Sequence, residues 1–178
     1  SGEKSGARVA LLIQPSEQIA ITPRIVYQKL ETDGYPRVDV YNILGNPFTT
    51  TEPPVNPGER GQVTQIREGI DDEVTLADLK MEFGFGGVTL TSVSSYTDRD
   101  LTVLRDASHV TGSVTLSFDD GRNIATSADV RLKSPLYDVT SLKSFSQELR
   151  LASDGGGMFE WLVGAFYQDI DRDYGQNL

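Results

Sequence analysis

From Phe145 to Leu151 the chain alternates: Phe145, Gln147, Leu149 and Leu151 fall on one parity, and Ser146, Glu148 and Arg150 on the other. A period of two puts successive side chains on opposite faces of a strand. Ser153-Asp154-Gly155-Gly156-Gly157 follows, a run that reverses the chain because glycine accepts positive φ. The alternation then resumes from Phe159 to Tyr167. Phe159, Trp161, Val163, Ala165 and Tyr167 share one face, while Glu160, Leu162, Gly164, Phe166 and Gln168 share the other. The stretch predicts a β-hairpin with one apolar face and aromatics near its ends.

The same plan recurs along the chain. Arg8 to Ile13 carries Val9, Leu11 and Ile13 on one parity, and Gln14-Pro15-Ser16-Glu17 reads as a turn. Gln18 to Gln28 alternates, with Ile19, Ile21, Pro23, Ile25 and Tyr27 together. Pro23 has no N–H for a ladder, so a bulge or a break in pairing is expected beside it. In Glu73 to Phe85, residues Ala77, Leu79, Met81, Phe83 and Phe85 face one way and Asp78, Lys80 and Glu82 the other. Gly84-Phe85-Gly86-Gly87 predicts a tight turn, and Val88 to Asp98 the returning strand.

Two connections, approximately 31–72 and 101–142, separate these hairpins. The second contains a candidate local hairpin, 113–118 with 123–132, over Asp119-Asp120-Gly121-Arg122. Asp169 to Gly175 reads as the start of a third long connection. Connections this long are uncommon in a compact domain unless they carry function. Short turns at one end and long connections at the other are the habit of transmembrane barrels, whereas sandwiches mix loop lengths at both ends. No helical period and no fixed repeat period emerges.

Composition removes several function classes. The chain has 178 residues, a net charge of −10 and no cysteine. The acidic balance argues against a nucleic-acid partner. Lack of Cys excludes disulfides and thiolate metal sites, and a single His, His109, removes most His-based catalytic and metal arrangements. The N-terminal Ser1 to Gly6 has no apolar core of the signal-peptide kind. Mean hydropathy of −0.30 does not separate a soluble β domain from a barrel, because barrel strands need only about 9–11 alternating residues.

Phe145-Ser146-Gln147-Glu148-Leu149-Arg150-Leu151-Ala152-Ser153, followed by Trp161-Leu162-Val163-Gly164-Ala165-Phe166-Tyr167, resembles a barrel hairpin of TonB-dependent outer-membrane receptors. Leu90 to Tyr96 followed by Asp98-Arg99-Asp100 is similar to another strand of those barrels. Asp39-Val40-Tyr41-Asn42 with its Pro-rich loop resembles the family's α-proteobacterial members. The resemblance implies an all-β chain of antiparallel β-hairpins, about six strands of a transmembrane β-barrel. It covers residues 1–178 as one partial barrel segment with two long loops and no plug domain in this chain. It implies localisation in the outer membrane of a Gram-negative bacterium. It further implies uptake of a siderophore or another bulky nutrient with energy from TonB, engaged through the absent plug region. On this reading the fragment alone is not transport-competent, contacts outer-membrane lipid and is prone to self-association.

Candidate ligand-binding residues are Tyr35, Arg37 and Tyr41 in the first long connection and Arg99, Arg105 and His109 in the second. Aromatic and guanidinium groups bind ring-bearing and anionic ligands. Trp161 and Tyr167 read as girdle aromatics at a membrane boundary. Asp78, Lys80 and Glu82, like Glu148 and Arg150, read as lumen charges that pair across strands. Asp169 to Asp173 and Asp119 to Asn123 have the alternating carboxylates of calcium loops but lack the twelve-residue pattern, so no metal is assigned. No Ser/His/Asp arrangement emerges, so no catalytic group or cofactor is assigned and the chain is not read as an enzyme. The alternative is a soluble β-sandwich or small-barrel binding module, for carbohydrate, whose apolar faces pack on each other.

Overall fold

The structure, a computed structural model, describes residues 1–36, 59, 61–62, 64–108, 133–156 and 158–178. Among the described residues the strands number seven: β1 (Gly2–Ala10), β2 (Ile13–Ser16), β3 (Ile19–Asp33), β4 (Gly69–Gly84), β5 (Val88–Asp106), β6 (Pro135–Ser153) and β7 (Leu162–Asn177). All pair antiparallel in one sheet of order β1-β3-β4-β5-β6-β7, with β2 also on β3. The sheet is open: β1 and β7 are its edges.

β1 and β2 occupy one line along β3 and are parted at Leu11-Leu12. Pro23 causes the break. Its carbonyl accepts the Leu11 N–H at 3.1 Å, so Pro23 presents its backbone polar side to β1–β2. In an antiparallel pair a residue's N–H and C=O point at the same neighbour. The donor that proline lacks is therefore missing on the edge side, and the β3–β4 register runs through Pro23↔Leu79 unbroken.

The turns follow local chemistry. Glu17-Gln18 joins β2 to β3, so Pro15 lies within β2 and not in the turn expected at Gln14–Glu17. Gly86 and Gly87 have φ of 53° and 101°, the positive pair that a two-residue type I′ hairpin needs, and the Phe85 N–H reaches the Val88 carbonyl at 2.7 Å. Gly155 and Gly156 are likewise positive, at 80° and 84°. Most strands reach further than the alternation predicts, although β7 begins at Leu162 and not at the expected Phe159, so Phe159 to Trp161 precede the strand. β1 begins at Gly2, and β7 runs through Asp169–Gly175, where a third connection was expected. The two long connections shrink to 34–68 and 107–134. The local hairpin expected within 113–132 lies outside the described residues.

Cross-strand register sorts the paired strand residues onto two faces. One, the banded face, carries Ile19, Ile21, Ile25, Tyr27, Leu79, Met81, Phe83, Leu90, Tyr96, Phe145, Leu149, Leu151, Val163 and Tyr167. The other, the mixed face, carries Arg24, Asp72, Asp78, Arg99, Glu148 and Arg150 among apolar residues such as Val26, Leu76 and Leu142. Among the described residues Ala107 is the only buried apolar one. On the interior strands β3–β6 every exposed large apolar or aromatic side chain lies on the banded face: Ile25, Tyr27, Tyr96, Tyr137, Val139, Phe145 and Leu149. Side chains converge on the inside of a curved sheet and splay on the outside, and the pattern is that of a sheet curling with the mixed face inward. The substantial contacts all run between ladder neighbours, so the sheet is a single layer.

Candidate functional site

The banded face changes character along the strands. Near the short turns it is apolar. A slanted line of Tyr27, the paired Tyr96 and Phe145, and Tyr167, each outer member one same-face position off the pair, closes this zone toward the long connections; at the short-turn end Phe83 stacks with Phe85, and Trp161 lies beside Ser153. Ile19 to Tyr27 covers about 27 Å of strand at ~3.4 Å per residue. A tilt of about 35–45° brings this to roughly 20 Å, on the scale of the apolar band of outer-membrane barrels, about 25 Å. Beyond that line the same face turns acidic, with Glu31, Asp71, Glu73, Asp98, Asp100, Asp169, Asp171 and Asp173. Three polar side chains interrupt the band, and they satisfy one another. The Ser94 hydroxyl donates to Gln147 Oε1 at 2.5 Å, and Gln147 Nε2 donates to Ser92 Oγ at 3.0 Å. Polar atoms that bond each other in this way are compatible with an apolar surround.

Ion pairs stand on both faces: Lys29 meets Glu31 at 2.6 Å on the acidic part of the banded face, and the mixed face carries several more. Arg24 meets Asp78 across strands at 2.6 Å. Arg99 grips Asp72 through two nitrogens, both at 2.7 Å, the fork geometry that guanidinium and carboxylate share. Lys80–Glu82 and Arg150–Glu148 instead pair along their own strands, at 2.9 and 2.5 Å, and not across strands as expected. Asp169, Asp171 and Asp173 alternate along β7, on one face and successive rows. Among the described residues no group of three His, Cys, Asp or Glu is placed to hold a metal ion.

At the outer end, where both long connections leave the sheet, Tyr35 and Arg105 come together. The Arg105 guanidinium carbon lies 5.7 Å from the Tyr35 ring centre, within cation–π range. Arg105 also pairs with Asp138 on the neighbouring strand. Asp138 Oδ1 accepts the Tyr174 hydroxyl at 2.9 Å and Gln176 Nε2 at 2.7 Å. Burial works to raise the Asp138 pKa; the bonds from Gln176, Tyr174 and Arg105 outweigh it and hold the carboxyl below its ordinary value. The cluster therefore links the first long connection to β5, β6 and β7 through one neutralised cation.

Of the six candidates, Tyr35 and Arg105 converge, and Arg99 stands apart, paired with Asp72 lower on the mixed face. Arg37, Tyr41 and His109 lie outside the described residues. Sequence reasoning missed Asp138, Tyr174 and Gln176, whose partners depend on the β5–β6 and β6–β7 registers. It also missed Asp106 and Ser108, although an Asp two residues before a Ser at a strand end is an Asx-turn signal. The Ser108 N–H does donate to Asp106 Oδ1, at 2.9 Å.

The geometry defines a class: a single-layer, open antiparallel sheet with an apolar zone on its more exposed face and ion pairs among the apolar residues of the other. No family model matches the chain, and none of the curated proteins searched is similar to it.

Proposed function

We propose that the chain forms part of the wall of an outer-membrane β-barrel, of the TonB-dependent receptor type, with its banded face toward lipid and its mixed face toward an aqueous lumen. One observation carries the reading. The apolar side chains of the interior strands stand exposed on the outer side of a one-layer sheet, bounded by aromatic side chains. A soluble domain buries such a face against a second layer. A bilayer covers it without one, and there every backbone group must be paired, so the β1 and β7 edges of this sheet would pair with further strands of a closed barrel.

The receptor assignment rests further on the resemblance of the Phe145–Tyr167 hairpin and on the segregation of connections. The long connections at 34–68 and 107–134 then contribute to an external mouth, with Tyr35 and Arg105 at its base. A siderophore or other bulky nutrient is the ligand class, and TonB the energy-coupling partner of the whole receptor.

Two experiments test the two levels. Purified without detergent, the chain should aggregate; in detergent or lipid it should give a β-type circular-dichroism spectrum. A monodisperse detergent-free monomer with a cooperative melt would instead mark the soluble binding module. For the receptor level, cells lacking the gene should lose energy-dependent uptake of one ferric siderophore or nutrient, as cells lacking TonB do. Unchanged uptake across a ligand panel would count against it.

A further inference from the structure

Beyond the wall, the most deeply buried side chains among the described residues are polar and gather at the outer end. Asp106 is 3% exposed, Glu68 4% and Ser108 1%. Asp106 Oδ1 accepts the Ser108 N–H, and its Oδ2 accepts the N–H groups of Gln65 and, at 3.4 Å, Ile66. The Asp106 N–H in turn donates to Glu68 Oε1 at 2.9 Å. The Gly34 N–H donates to the Glu68 carbonyl at 2.7 Å, and the Ser134 N–H to Ser108 Oγ at 3.0 Å. Both ends of the 34–68 connection and both ends of 107–134 thus enter one network; the Asp106 carboxylate binds one end of each connection directly, and Gly34 and Ser134 join it through Glu68 and Ser108.

We propose that Asp106 is a positioning residue that couples the two long connections, so that displacing the root of one loosens the root of the other. The cause is the low exposure of the carboxylate. One oxygen serves the first connection and the other serves the second. Withdrawing either set of N–H donors leaves a desolvated oxygen unpaired, which disfavours the half-formed state relative to both bonds made or both broken. This yields an element with two arrangements that both connections bias, the physical requirement for coupling between separated segments. A ligand that draws on one root would then act on the other. The coupling itself stands on the hydrogen bonds and does not need the membrane reading.

The test is amide hydrogen exchange on the full chain in whichever medium keeps it folded, with β5–β6 ladder amides as the internal control. Gln65→Pro removes one donor from the first connection only. Exchange at Ser108, on the second, should quicken about ten- to a hundredfold, the range expected for loss of a hydrogen bond to a charged group. Ser108→Pro should quicken Gln65 and Ile66 in return. Asp106→Asn, which keeps one acceptor oxygen, should release both roots by similar factors, while Asp106→Glu restores part of the protection at both. Unchanged Ser108 exchange in Gln65→Pro overturns the proposal, as does an Asp106→Asn chain in which only one root responds. Should a proline variant lose its ladder protection as well, the Asp106→Asn result decides.

Discussion

Leu149→Arg separates the lipid-facing account from a water-facing one by the size of a single number. Leu149 lies on β6, with Ser92 and Ala165 beside it on the banded face, between Phe145 of the aromatic line and Leu151 near the short turn. It is 44% exposed in the structure. At a surface site of that exposure in water, arginine costs within about 0.5 kcal/mol of nothing. Near the middle of a bilayer, arginine on a barrel's lipid side costs about 2–4 kcal/mol. At 1.4 kcal/mol per factor of ten, that is roughly a 30- to 700-fold fall in the folded-to-unfolded ratio. Ser146→Arg is the control: it places the same side chain on the mixed face of the same strand, flanked by Ser95 and Gln168. A lumen position should tolerate it within about 1 kcal/mol. The assay is denaturant unfolding of the lipid-reconstituted chain, followed through Trp161, the single tryptophan. An Leu149→Arg midpoint indistinguishable from the parent in lipid, or an equal loss in Ser146→Arg, would refute the reasoning.

Three further outcomes are expected. Gly87→Ala forces a β-carbon onto a residue at φ 101° and should cost roughly 1–2 kcal/mol, read in the same unfolding assay. Arg24→Leu leaves Asp78, whose side chain is only 8% exposed, without its cation, and should cost about 1–3 kcal/mol. Adding Asp78→Asn to Arg24→Leu should recover part of that loss in a double-mutant cycle. Burial pushes the Asp106 pKa up, but bonds from Ser108, Gln65 and Ile66 outweigh it and hold the folded value below the ordinary carboxylate value of about 3.9. Its contribution to stability is therefore present in full above that pH and disappears as pH falls through the lower folded value. Ser108 amide protection measured down an acid series should persist to about pH 4 and collapse below it; loss near pH 6 would contradict this.

Strand identity was legible where one face is apolar and the other polar, as at Phe145–Leu151, because the pleat translates a period of two directly into faces. The break beside Pro23 was legible for the same local reason, a missing donor. The outer halves of the strands were not. There the banded face becomes acidic while Leu30, Ile70, Leu101 and Ile170 occupy the mixed face, so the alternation changes sign and reads as polar loop. Asp169 to Gly175 therefore reads as a connection although it is strand, and polar Gly2 to Ala7 gives no strand signal although β1 starts there. Tyr35 and Arg105 were legible as candidates by residue type, but their meeting was not. It depends on where two long connections return to the sheet, and Arg105–Asp138 depends on a register set by the whole ladder. Pairing of Lys80 with Glu82 along β4, and not across strands, reflects an adjacent same-face partner already in reach.

The central claim, that the banded face meets lipid and the mixed face water, is tested most directly by a spin-label scan of β6. The chain has no cysteine, so single cysteines can be placed one at a time from Phe145 to Leu151 without background. In lipid bilayers, collision with oxygen should peak at positions 145, 147, 149 and 151, and collision with a water-soluble nickel reagent at 146, 148 and 150. Oxygen access that peaks at 146, 148 and 150, or that shows no period of two, would contradict the account.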